Sequence, residues 1–186
     1  MTRSWLVLGY LLSAGPVMAQ TVVRPDPPLD PARAAVRDAL LSLHDSLTTI
    51  DGAAARLQRD FRQASGPSLL SRARVMEQAC DRSLRTLPAT RKVLLDTQLS
   101  EPRRVAGRRN LLGAMAHLGE ALSRCQQQFT RMSQPDQAEI VRGYGNDRAT
   151  RVRAVLRQYE AALRSFFGVM GIRFTPIGVA GSPAAG

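Results

Sequence analysis

PARAAVRDALLSLHDSLTTIDGAAARLQRDF, residues 31–61, places Val36, Leu40, Leu43, Leu47, Ile50, Ala54, Leu57 and Phe61 in alternating steps of four and three. A seam with that rhythm over about four heptads is the mark of a long helix packed against other helices. Asp30-Pro31 supplies its start: an oxygen-bearing N-cap side chain followed by proline at the first helical position, where a missing N–H costs nothing.

The same rhythm recurs three times downstream. After the turn SGPS (65–68) come Leu69, Ala73, Met76, Cys80, Ser83 and Leu87, with Leu94 two steps on. After SEPRR (100–104) come Leu111, Met115, Leu118, Leu122, Cys125, Phe129 and Met132. After SQPD (133–136) come Val152, Val155, Tyr159, Ala162, Phe166 and Val169. Three proline-bearing turns thus cut the chain into four segments of similar length, each about 50 Å if fully helical. The expectation is an all-α, antiparallel up-down-up-down four-helix bundle with heptad-like seams. Pro88 is expected to kink or break the second helix. The glycines at 107, 113 and 119 suggest a late start for the third helix or close approach to a neighbour. In VRGYGND (141–147), Gly143 and Gly145 suggest that Asp147 caps the true fourth helix, leaving 136–142 as a separate turn.

Outside the bundle the composition changes. Residues 1–19, MTRSWLVLGYLLSAGPVMA, combine one arginine, a short apolar run, a Gly-Pro breaker and small residues before a cleavage point, which reads as a secretory signal. The apolar run is shorter than the ~20 residues of a membrane-spanning helix. Residues 20–30 form a proline-rich linker, 31–172 the helical domain and 173–186 a flexible tail. Export to a bacterial periplasm or to the medium is the expected destination.

That destination bears on Cys80 and Cys125, the two cysteines of the chain. In an oxidising compartment thiols pair, and two permit one bridge. Residues paired across a helical hairpin sit equally far from its turn, and the midpoint between 80 and 125 falls on Pro102-Arg103, inside a turn identified separately. One interhelical disulfide between the second and third helices is expected. A redox-active pair would call for a C-x-x-C motif or an exposed electropositive thiol, and the sequence offers neither.

Sites of chemistry are few. The histidines, His44 and His117, fall at comparable heights on the first and third helices but off their seams. No C-x-x-C-H motif and no ligand-spaced His/Cys/carboxylate cluster accompanies them, so neither metal nor cofactor is expected. A haem or small-ligand carrier is a third reading; the resemblance to periplasmic haem-binding four-helix bundles is one of architecture alone. No G-x-S-x-G, H-E-x-x-H or phosphate loop occurs, and no catalytic residue is assigned. Asp81-Arg85, Glu120-Arg124, Asp147-Arg151 and Glu160-Arg164 are acid-before-base pairs that support exposed helix faces.

The chain is basic, with 26 Lys and Arg against 15 Asp and Glu, and Lys92 is the lone lysine. Arg103, Arg104, Arg108 and Arg109 crowd the start of the third helix, where cations oppose the helix dipole unless an anion binds there. They form the candidate anion-binding site for a phosphate, a lipid headgroup or an acidic polymer. No motif for specific nucleic-acid recognition is present, and the aromatics follow the seams instead of forming a stacking platform. The sequence points to an exported, non-enzymatic bundle that binds another envelope macromolecule, or self-associates through flanking Leu70, Leu84 and Leu95. An anion binder is the alternative.

Overall fold

The computed structural model describes residues 29–174; the expected signal, most of the linker and nearly all of the tail lie outside the described residues. Four helices follow one another: α1 (Pro31–Asp60), α2 (Gly66–Asp96), α3 (Pro102–Met132) and α4 (Ala138–Met170). Asp30 caps α1 as its sequence suggests, its carboxylate accepting from the Arg33 backbone N–H at 2.9 Å. At the other end of the chain Gly171 adopts φ 68°, a left-handed conformation that terminates α4 and lets Ile172 N–H return to the Phe167 carbonyl at 2.9 Å.

Contacts fix the topology. Between α1 and α2, Asp60 pairs with Arg72 and Ser46 with Ser83, while Thr90 approaches Ala39. Between α1 and α4, Gln58 meets Thr150 and Asp51 meets Arg153. As the number rises on one helix it falls on its neighbour, so adjacent helices run in opposite directions. α1 and α3 each pack on α2 and α4; α1 and α3 do not touch, whereas α2 and α4 meet across the shorter diagonal.

The expected bridge is present. Cys80 and Cys125 are joined with their Cα atoms 6.2 Å apart, linking α2 to α3 inside the core. Thr130 and Ser133 of α3 both reach the Glu77 carboxylate of α2, one register step from the bridge.

The seams of α1 and α3 are buried as read from the sequence, except that Phe61 at the end of α1 is half-buried. On α2 the half-buried Leu87 yields its place to Thr90, buried with its hydroxyl near the Thr86 carbonyl at 3.2 Å. On α4 the reading needs correction. Val155, Ala162 and Val169 are only half-buried, and the stripe that faces inward is Val141, Gly145, Ala149, Val152, Leu156, Tyr159, Leu163, Phe166 and Met170. α4 packs on three helices, so its buried face is wider than a seam and is turned toward Leu156 and Leu163.

Three expected interruptions do not occur. α2 runs unbroken through Pro88, which is exposed, so its lost hydrogen bond falls on the solvent side. α4 begins at Ala138 and continues through both glycines, and Asp147 pairs with Arg151 instead of capping a helix. α3 starts at Pro102, and two of its three glycines serve close approach: a Cβ on Gly107 would stand 3.1 Å from Val169 Cγ2, and one on Gly119 3.0 Å from Leu87 Cδ2.

Two arginines tie the turns to distant helices. Arg142 of α4 donates to the carbonyls of Phe61, Arg62 and Ala64 at 3.3, 3.2 and 3.1 Å, closing the α1–α2 turn. Arg108 of α3 donates to the Thr97 carbonyl at 2.7 Å, at the end of α2. Both place a cation and donors where a helix C-terminus leaves carbonyls unmet. The chain also stays packed beyond residue 172, since the Phe174 ring lies edge-on to His44 and Phe167 at 4.9 and 5.4 Å.

Candidate functional site

The four arginines at the start of α3 do not converge. Successive residues on a helix point about 100° apart, so crowding in sequence spreads them around the axis. Arg103 is exposed, and its side chain has no partner among the described residues. Arg104 Nε stands 2.9 Å from the Glu101 carboxylate, an ion pair too bent to count as a hydrogen bond. Arg108 is committed to the end of α2 and borders an open hollow of about 590 Å³ formed by the α2–α3 turn. Arg109, exposed and unpaired, faces instead the furrow between α3 and α4.

That furrow is an elongated concave feature between α3 and α4. It comprises two hollows that share Val155 as a wall, one of about 390 Å³ and one of about 230 Å³. The α3 residues bordering them include Gly113, Ala114 and Ala121, whose small side chains leave the space between the helices unfilled. From Arg109 to Gln128 it follows α3 for about 28 Å. Its walls carry Arg109 and His117 in the larger hollow, and Arg124, Arg148 and Arg151 in the smaller. Arg124 and Arg151 pair with Glu120 and Asp147 at 3.5 and 3.0 Å along their own helices. Arg148 has no ion pair, and its Nε is enclosed without a hydrogen-bond partner. Cations held in a groove with partly apolar walls act on an anion more strongly than the same charges spread over a convex surface.

Sequence reasoning reached Arg109 but not Arg148, Gly113 or Gln158. A usable signal existed: Arg109 and Arg148 have no acidic residue three or four positions away, so neither can be neutralised along its own helix. Of the flanking leucines, Leu95 is exposed, while Leu70 and Leu84 pack partly against the core.

The histidines lie on α1 and α3, the two helices that do not touch. His117 is exposed at the furrow. His44 was placed off the seam by its spacing, yet it is buried, with Nδ1 unsatisfied and its ring against Phe174. Burial holds its basicity below the ordinary value of 6.5, against the opposing pull of the Glu160 and Asp45 carboxylates. Above that value the ring is neutral in both the folded and unfolded chain. Below it the unfolded chain takes up a proton that the buried ring refuses, so stability falls as pH drops from about 6.5 toward the lowered folded value. We expect the thermal midpoint of the protein to drop more between about pH 7 and 5 than that of His44→Leu; parallel profiles would remove the assignment.

Tyr159 is 1% exposed, its hydroxyl has no hydrogen-bond partner, and burial raises its pKa. Among the described residues, no group of three or more His, Cys, Asp and Glu side chains is placed to hold a metal ion. No helix among them is long and apolar enough to cross a membrane. Comparison with known proteins returns no family model, no curated protein and no solved structure that matches the chain.

Proposed function

We propose that the protein is an exported, non-enzymatic helical bundle that binds an anionic envelope macromolecule along the furrow between α3 and α4. The observation that carries this reading is the furrow itself: an elongated concavity bordered by Arg109, Arg124, Arg148 and Arg151, in which Arg109 and Arg148 have no carboxylate partner. An extended acidic polymer meets this geometry better than a single small anion at the start of α3, where Arg104 and Arg108 are already engaged. Export is supported by the signal-like residues 1–19 and by a disulfide in the core, a bond that persists in oxidising compartments.

The test compares two variants of equal charge. Arg109→Ala with Arg148→Ala removes the unpaired cations of the furrow, whereas Arg91→Ala with Arg103→Ala removes two exposed, unpaired cations that do not border it. Binding of inorganic polyphosphate, followed by fluorescence anisotropy, is expected to weaken about tenfold in the first and less than about twofold in the second, with affinity falling steeply as salt rises. Equal weakening in both would reduce the effect to net charge and overturn the furrow as the binding face.

A further inference from the structure

We propose that the larger hollow of the furrow is a subsite for one sugar-sized unit carrying a carboxylate. The inference rests on the furrow being the binding face and adds what enters it. It begins with a glycine. Gly107 and Gly119 in α3 are accounted for by neighbours that leave no room for a side chain. Gly113 is different: a Cβ there would meet nothing within 4 Å. Glycine inside an exposed helix is less stable than alanine, a penalty that packing explains neither here nor at Gly143 and Gly168 of α4, and what sets Gly113 apart from those two is that it borders the larger hollow. What its bare backbone does is open the floor of the hollow.

The walls around that floor mix apolar groups, Ala114 and Val155, with polar side chains. Arg109, Gly113 and His117 follow one another at four-residue steps along one stripe of α3, and Asn110, three residues before Gly113, borders the same hollow. Gln158 faces them from α4. The side chains of Arg109, Asn110, His117 and Gln158 make no hydrogen bond or ion pair with any described residue. Tyr159 lies behind the lining, 1% exposed, so its unsatisfied hydroxyl is closed to a ligand. A volume of about 390 Å³ lies within the range of small-ligand sites.

The donor set names the chemistry. One guanidinium fork matches the two oxygens of a carboxylate, whereas a phosphate dianion would leave charge unmet in this hollow. The amides of Asn110 and Gln158 each donate and accept, and that is the pairing ring hydroxyls require. No aromatic face is open for a nucleobase to stack on, since Tyr159 is 1% exposed. A uronate-type sugar answers every group, and the cations of the smaller hollow lie along the path its polymer would follow.

The mature chain with its disulfide intact is titrated calorimetrically with a galacturonate tetramer and, separately, with inorganic polyphosphate. Gly113→Leu fills the hollow while keeping every charge, and an unchanged or raised thermal midpoint verifies its fold. Gly113→Ala serves as the graded control. We expect Gly113→Leu to weaken the tetramer at least about tenfold and polyphosphate less than about twofold, with Gly113→Ala intermediate for the tetramer. Loss of both probes together, or of neither, would overturn the subsite. A protein that binds polyphosphate but not the tetramer would also overturn it while leaving the furrow standing. Failure to bind either probe would remove both readings.

Discussion

Reduction of the Cys80–Cys125 bridge is expected to lower the stability of the bundle by about 4 kcal/mol, the chain-entropy value for a loop of 45 residues. The loop contains half of α2, the α2–α3 turn and about the first three quarters of α3, so the cross-link restricts a large part of the unfolded chain. Both sulfurs are buried, which places the bond out of reach of mild reductants until the hairpin opens. Urea unfolding with and without dithiothreitol measures the effect. The midpoint should fall, and the slope should rise as the reduced unfolded chain exposes more surface. Cys80→Ala with Cys125→Ala should reproduce the loss and add a cavity term. A midpoint indifferent to reductant would show that the bridge does not constrain the fold.

The second large effect belongs to Phe166, fully buried on α4. Its Cδ2 lies where a side chain on Gly107 would begin, 3.3 Å from the position of that missing Cβ. Phe166→Ala should cost about 3–5 kcal/mol, toward the upper end because the facing helix has no side chain at 107 with which to fill the void. Gly107→Ala alone should destabilise, its Cβ being crowded by Val169 at 3.1 Å. Placed together with Phe166→Ala, the same methyl enters vacated space and should recover part of the loss. A double-mutant cycle by chemical denaturation reads this coupling, and strict additivity would show that the two positions do not share the contact.

Most of the fold was legible because its signals are local and repeat. Seams at three- and four-residue steps gave the buried faces of α1 and α3, and the proline-bearing turns gave the boundaries. All four acid-before-base pairs are formed, among them Asp81 with Arg85 at 2.6 Å. Where the reading failed, tertiary contact had overridden local preference. Gly145 looked like a helix breaker, but its missing side chain makes room for Leu57, whose Cδ2 would lie 3.4 Å from an added Cβ. Val155, Ala162 and Val169 looked like core because they keep a heptad rhythm, yet contact with three neighbours turns α4 toward Leu156 and Leu163 instead.

The proposed binding face was less accessible to sequence reasoning for a geometric reason. Arg103, Arg104, Arg108 and Arg109 are close in the chain and dispersed around a cylinder. Arg109 and Gln158 are far apart in the chain and border one hollow. A furrow between two helices has no linear signature beyond the small residues that leave it open and the cations that lack a partner one turn away.

The arginines that close the turns carry a consequence for how this protein meets other molecules. Arg142 and Arg108 spend their donors on main-chain oxygens, so each is a rivet whose hydrogen-bonding capacity is used internally. Both still count toward the formal excess of +11, but they offer an approaching polyanion fewer free donors than that figure suggests. A polyanion seated along the proposed furrow would find its free donors on the guanidiniums left without such an errand, Arg109 and Arg148.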